Sequence, residues 1–215
     1  MAQLDRHQRI DLQVASDLAD PRCSTAALFA EDGGKMFGVL TCRDAGGNLV
    51  VLRAFSGQYN GLWQVPGWVG PVCDPVIFQR LTAPVEARIK VLGQQLACLP
   101  DHSRQRLLLR RQRRNLSRHL MGAIHDLYHL VNFRGEQASL SEIFSDRGMP
   151  PAGTGDCCAP KLLHHAARNG LQPEGLAEIY YGRPNTSATR QHGHLYAACD
   201  EKCRPILGFM LCGLS

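Results

Sequence analysis

Gly153-Thr-Gly-Asp-Cys-Cys-Ala-Pro-Lys-Leu-Leu163 is a glycine-rich turn that delivers two adjacent cysteines to the start of an apolar helix. Further along, His192-Gly-His-Leu-Tyr-Ala-Ala-Cys199-Asp-Glu-Lys-Cys203-Arg-Pro-Ile-Leu207 is a strand-like run that ends on a Cys-x-x-x-Cys pair and enters a second helix. Two cysteine knuckles, each at a helix N-terminus, are what a tetrahedral zinc site uses. The positive end of the helix dipole favours the thiolate that binds the metal. Cys157, Cys199 and Cys203 are the expected zinc ligands, with His194 or Cys158 as the fourth. Three buried free thiols, or a redox pair, are the alternative use of the same residues. Asp156 is expected to cap the helix that follows it, or else to orient a ligand from behind.

The flanking sequence supplies the layers. Ser139-Leu-Ser-Glu-Ile-Phe144 reads as a short helix with Ser139 as N-cap and Glu142 as its capping-box partner. The helix after the cysteines has Pro160 near its first turn and Gly170 at its end. Leu176–Tyr181 and His194–Ala198 read as strands around a polar loop at 182–191, and 205–211 as the last helix. This order predicts an α/β fold, a layered mixed sheet flanked by helices, over residues 136–215.

Upstream, Lys35–Cys42 and Asn48–Phe55 flank Asp44-Ala-Gly-Gly47, which predicts a β-hairpin. Both strands are apolar nearly throughout, so both faces are expected to be covered. Residues 36–55 are candidates to share a sheet with the cysteine-containing unit. Residues 1–20 read as an amphipathic helix or a loose leader. The Gly-, Pro- and Trp-rich stretch 56–75 reads as a loop that pins Trp63 and Trp68 into the core rather than offering them to a base. Residues 84–99 carry apolar positions at helical spacing. The chain thus divides into a hairpin and helix region (1–100), a basic amphipathic helix (101–135) and the cysteine-containing unit (136–215).

The basic helix carries Arg104, Arg106, Arg110, Arg111, Arg113, Arg114 and Arg118, with no acidic residue between Asp101 and Asp126. Leu109, Leu116, Leu120, Ile124, Leu127 and Val131 step by 7, 4, 4, 3 and 4, giving one apolar stripe on a long helix expected to protrude and to end at Gly135. Arginines over the remaining surface fit contact with RNA phosphates, which is salt-dependent and largely blind to sequence; Lys161 is a further candidate. The same pattern fits a solvated face, a helical pairing surface for a homodimer, or, less well, acidic lipid.

Composition sets bounds on these readings. The 215 residues are 44% hydrophobic and 20% charged, with a net charge of +5 and an isoelectric point near 8.8. That is a globular chain, mildly suited to a polyanionic partner. Nine cysteines, an odd number, with no apolar leader argue against a secreted disulfide scaffold and for a reduced cytoplasmic protein. No apolar run approaches the ~18 residues a membrane span needs.

Gly34-Lys-Met-Phe-Gly-Val-Leu40, Ala54-Phe-Ser-Gly57, Asn132-Phe-Arg-Gly-Glu136, Pro151 through Leu163 and Gly193-His-Leu-Tyr-Ala-Ala-Cys199 with Lys202-Cys203 and Pro205-Ile-Leu207 carry a resemblance. The chain resembles the N-terminal extension of long bacterial RluA-type pseudouridine synthases. That resemblance implies an RNA-modification context, with rRNA or tRNA as partner. In that family uridine is isomerised by a following domain, through an aspartate in a His-Arg-Leu-Asp type motif. No such motif occurs here, and neither His119-Leu120 nor His125-Asp126 supplies it. The resemblance therefore implies an accessory role, with catalysis either absent or supplied elsewhere, as by a separate pseudouridine synthase domain. A looser similarity of layout is to zinc-dependent deaminases, which place a glutamate two residues after the first ligand. The position two after Cys157 is Ala159, so this similarity implies a metal site without the acid that moves protons there.

Overall fold

In the computed structural model, residues 1–30 and 33–214 are described. The elements in chain order are α1 (Ala2–His7), β1 (Lys35–Arg43), β2 (Leu49–Phe55), α2 (Pro75–Ala97), α3 (Arg104–Leu127), β3 (His129–Val131), β4 (Gln137–Ser139), α4 (Leu140–Ile143), α5 (Cys158–Arg168), β5 (Gln172–Tyr181) and α6 (Cys203–Met210). The fold is α/β, with helices layered on a sheet, as expected.

The predicted hairpin forms, with Phe37 opposite Phe55 and Arg43 opposite Leu49. The Asp44 carboxylate closes its turn by accepting from the Gly46 and Asn48 N–H groups at 2.9 and 2.8 Å. β5 then lies on the other side of β1, giving the order β2-β1-β5 with antiparallel pairings. The hairpin and the cysteine-containing unit therefore share one sheet. Outside β5, Leu195 bridges Ile179, and the Tyr180 and Tyr196 N–H groups bond the His194 and Glu178 carbonyls. The strand expected at 194–198 is thus a short pairing on the sheet's edge.

Alternation of side chains along β1 assigns the two faces. Leu40 and Cys42 face α5 and α6, in a core with Leu130, Leu140, Leu162, Ile206 and Met210. Phe37 and Phe55 face the other way, into a second core built by Leu4, Ile10, Leu28, Tyr59 and Val65. Trp68 packs there against both phenylalanines while its indole N–H donates to the Ile10 carbonyl. Trp68 thus joins the core as expected, whereas Trp63 is half-buried and packs on Phe78 of α2, outside both cores. This second layer reaches only one end of the hairpin. At the other end Val39 and Val51 are exposed, so the expected cover on both faces is incomplete there.

Close approach of helix and sheet depends on Gly38. A Cβ at this position would lie 2.5 Å from Cys158 Cβ and 3.1 Å from a Leu162 methyl. Gly38→Ala is expected to cost about 1–3 kcal/mol through overpacking. A lower denaturant midpoint at unchanged slope checks it; an unchanged midpoint refutes the close packing.

α2 begins ten residues before the first periodic apolar position read from the sequence. Asp74 accepts from the Val76 and Ile77 N–H groups at 2.7 and 3.2 Å, and Pro75 occupies the first turn. Pro84 lies inside the helix rather than at its start. α2 and α3 pack together as a helical hairpin. α3 stops at Leu127, not at Gly135. Tyr128 turns extended, and β3 pairs with β4 across a turn in which the Asn132 side chain accepts from the Arg134 and Glu136 N–H groups. Val131, read as the last position of the helical stripe, is a buried strand residue. Short-range turn chemistry at 132–136 overrides the helical period there. Ser139 and Glu142 form the expected capping box at α4.

Candidate metal centre and nucleic-acid interface

Three of the predicted ligands come together. Cys157 is the N-cap of α5, and Cys203 opens α6 one turn after Cys199. The α5–α6 contact carries these two helix starts to one place, and the Cys203 thiol interacts with both the Cys157 and the Cys199 thiols. The neighbouring Cys203 thiol, followed by the Lys202 charge, moves the Cys157 thiol below its ordinary value against the effect of burial. The Cys203 thiol moves far upward, because it lies beside Cys157 and is buried. The two thiols shift in opposite directions because each lies beside the other. Among the described residues, no group of three or more His, Cys, Asp or Glu side chains already surrounds a common point as metal ligands.

Neither candidate for the fourth ligand takes part in this thiol group. Cys158 turns under the sheet, where its Sγ donates to the Met36 carbonyl at 3.4 Å, and burial drives its thiol well up. His194 is exposed at the sheet's edge, held there by its own carbonyl, which accepts from Tyr180.

Asp156 does not cap α5. Its Oδ1 accepts from the Tyr128 hydroxyl at 2.7 Å, and its backbone carbonyl accepts from Gly57. The carboxylate that caps α5 arrives from β5. Glu178 Oε1 accepts from the Ala159 N–H at 2.9 Å, with Glu178 only 8% exposed. Pro160 has no N–H to offer, so Ala159 supplies the donor. Burial raises the Glu178 carboxyl above its ordinary value, against the pull of the Ala159 N–H. Its charge reaches Cys157 and Cys158. Sequence reading missed Glu178, although a signal was present. Leu176, Glu178 and Tyr180 share one face of β5, and a glutamate between two apolar residues at that period marks a buried acid with a partner.

Lys161 is not a surface phosphate contact. It is 1% exposed, and its ammonium donates to the Phe55 and Gly57 carbonyls at 3.0 and 2.7 Å above the Phe55 ring. Burial lowers its pKa, and Asp156 opposes the shift. The cause is its place on α5, on the face that meets the sheet.

The arginines of α3 divide into two groups. Arg106 closes the C-terminal end of α2, donating to the Leu96 and Leu99 carbonyls at 2.7 Å each and pairing with Asp101. Arg104, Arg110, Arg111, Arg113, Arg114 and Arg118 are exposed, and among the described residues none forms an ion pair. Leu120 is buried and Leu109, Leu116, Ile124 and Leu127 are half-buried, as the stripe predicts. Leu107 and Leu108 stand exposed among the arginines.

Farther along α5, burial pushes His164 down to about 4, with the Arg168 and His165 charges adding to the shift. The unfolded chain takes up a proton below its ordinary value of about 6.5 that the folded chain refuses until about 4. Stability is therefore full above pH 6.5 and falls as the pH drops through that window, by at most roughly 3 kcal/mol. Wild type is expected to lose more denaturant resistance between pH 7 and 4.5 than His164→Gln; equal losses would show that another group is responsible.

No protein-family model matches this chain, and comparison with curated proteins and with solved structures finds no significant match. Among the described residues, no helix is long and apolar enough to cross a membrane.

Proposed function

We propose that this protein is an RNA-binding accessory module of the RluA-type pseudouridine synthase context, holding a zinc ion and relying on another domain for isomerisation. The observation that carries the RNA reading is the set of six exposed α3 arginines with no ion-pair partner among the described residues. Arginine forks meet phosphate with two parallel hydrogen bonds and carry a charge that does not titrate away. The resemblance of Pro151 through Leu163 and Gly193 through Leu207 to the family's N-terminal extension supports the RNA-modification context. A reduced, cytoplasmic setting agrees with this use of thiols.

The thiol group fits zinc by its chemistry. Cys157, Cys199 and Cys203 would hold the ion, and Cys157 is already biased toward the thiolate that zinc requires. The test of the RNA reading is binding to a structured RNA across a salt series. Six phosphate contacts predict that log affinity falls against log salt with a slope of roughly −4 to −5. A flat response would rule the reading out.

A second reading, a zinc-dependent hydrolase of the deaminase kind, gains from one observation. Position 159 carries no acid, but the Glu178 carboxylate accepts from the Ala159 N–H, two residues from Cys157. Zinc bound at the thiols would supply a Lewis acid for water, and Glu178 would be the carboxylate to hold or move a proton there. Ammonia release from cytidine, adenosine or RNA that disappears in Glu178→Gln would favour this reading over the accessory role.

A further inference from the structure

A cavity of about 560 Å³ lies between the outer edge of β2, the loop at 64–71 and the C-terminal half of α5. Its ionisable lining comprises Arg53, Lys161, His164, His165 and Arg168, with no aspartate or glutamate among the described residues. Lys161 is committed to two carbonyls. Arg53 and Arg168 are not committed: among the described residues neither forms an ion pair. His164 is 8% exposed, and its Nδ1 has no hydrogen-bond partner among the described residues. A buried polar atom left unpaired costs about 1–3 kcal/mol, so it points to a missing partner.

We propose that this cavity binds a phosphomonoester carried on a nucleoside, either a free nucleotide or the 5′-terminal phosphate of an RNA. Two planar guanidinium groups, with no carboxylate beside them among the described residues, suit a dianionic phosphate. The volume exceeds what phosphate alone fills and falls in the range of nucleoside-sized ligands. The rest of the lining suits a base or sugar. The Arg53 carbonyl points away from β1, where it accepts from the Val69 N–H at 2.7 Å. The two-residue repeat of a strand turns the Val51 backbone the same way, into the cavity it lines. With the Asn169 side-chain oxygen, whose amide nitrogen already donates to the His165 carbonyl at 2.7 Å, this edge offers polar groups of the kind that read a heterocycle. The site is separate from the α3 arginines and stands or falls independently of them.

The test is titration of the full chain with uridine monophosphate, a 5′-phosphorylated tetrauridylate and uridine, followed by calorimetry and by the ring nitrogen resonances of His164. Saturable binding of the phosphorylated probes that shifts His164, with uridine at least tenfold weaker, is expected. Arg168→Ala should weaken binding at least tenfold; Arg168 is exposed, so its loss spares the core. Tighter binding of the tetrauridylate assigns the site to an RNA terminus, and tighter binding of the mononucleotide to a free nucleotide. The proposal is overturned if neither phosphorylated probe saturates, if uridine binds equally well, or if Arg168→Ala binds unchanged. It is also overturned if replacing Arg110, Arg111 and Arg114 removes mononucleotide binding, because the site would then lie on α3.

Discussion

Purified without chelator, the chain is expected to carry about one zinc per molecule, and Cys203→Ser is expected to carry almost none. Cys203 is the decisive position because its thiol alone interacts with both of the others. Removing it separates Cys157 from Cys199 and takes away the donor that favours a thiolate on Cys157. Cys203 is buried, so a second variant guards against simple misfolding. Cys199→Ala, at a half-buried position on the approach to α6, should lose zinc while keeping the far-ultraviolet spectrum of the wild type. Cys158→Ser should keep its zinc, because that thiol bonds the Met36 carbonyl instead. Elemental analysis decides the matter. Metal-free wild type, or zinc retained in both Cys203→Ser and Cys199→Ala, would return these cysteines to packing or redox roles.

Reversing three charges on α3 is expected to have the second large effect. Arg110, Arg111 and Arg114 are exposed on the 24-residue helix. Changing all three to glutamate should lower affinity for structured RNA by roughly 10²–10³-fold at low salt and reduce the salt slope by about 2–3. Stability should change little, since none of the three makes an ion pair among the described residues. Arg106→Glu is a contrasting control. It releases the Leu96 and Leu99 carbonyls at the end of α2, so its effect should appear in stability first. If the triple variant binds RNA like the wild type, the arginine face has another use. The exposed Leu107 and Leu108 would then make self-association the outcome to test, by sedimentation of wild type against Leu107→Ser.

Much of the architecture was legible because it is written in short-range chemistry. The Asp44-to-Asn48 turn, the Ser139–Glu142 capping box and the apolar stripe from Leu109 to Leu127 each depend on residues within a few positions of one another. So does the placement of Cys157 and Cys203 at helix starts. Errors arose where two local signals competed. At 128–139, Asn132 and the turn it closes override a helical period that continues through Val131. At Pro84 a residue that often opens a helix lies inside one already begun by Asp74 and Pro75.

Sequence alone determined the 35–55 hairpin, the α4 capping box and the cysteines at two helix N-termini, because period, cap and turn geometry are properties of neighbouring residues. Tertiary structure alone decided the partners. Glu178 meets Ala159 because β5 pairs beside β1 under the start of α5. Lys161 is an interior donor rather than a surface charge, because α5 turns that side chain toward the end of β2. Asp156 serves Tyr128 instead of its own helix. Each of these contacts joins residues about twenty or more positions apart, and only the packing of helices on the sheet brings such residues within hydrogen-bonding distance.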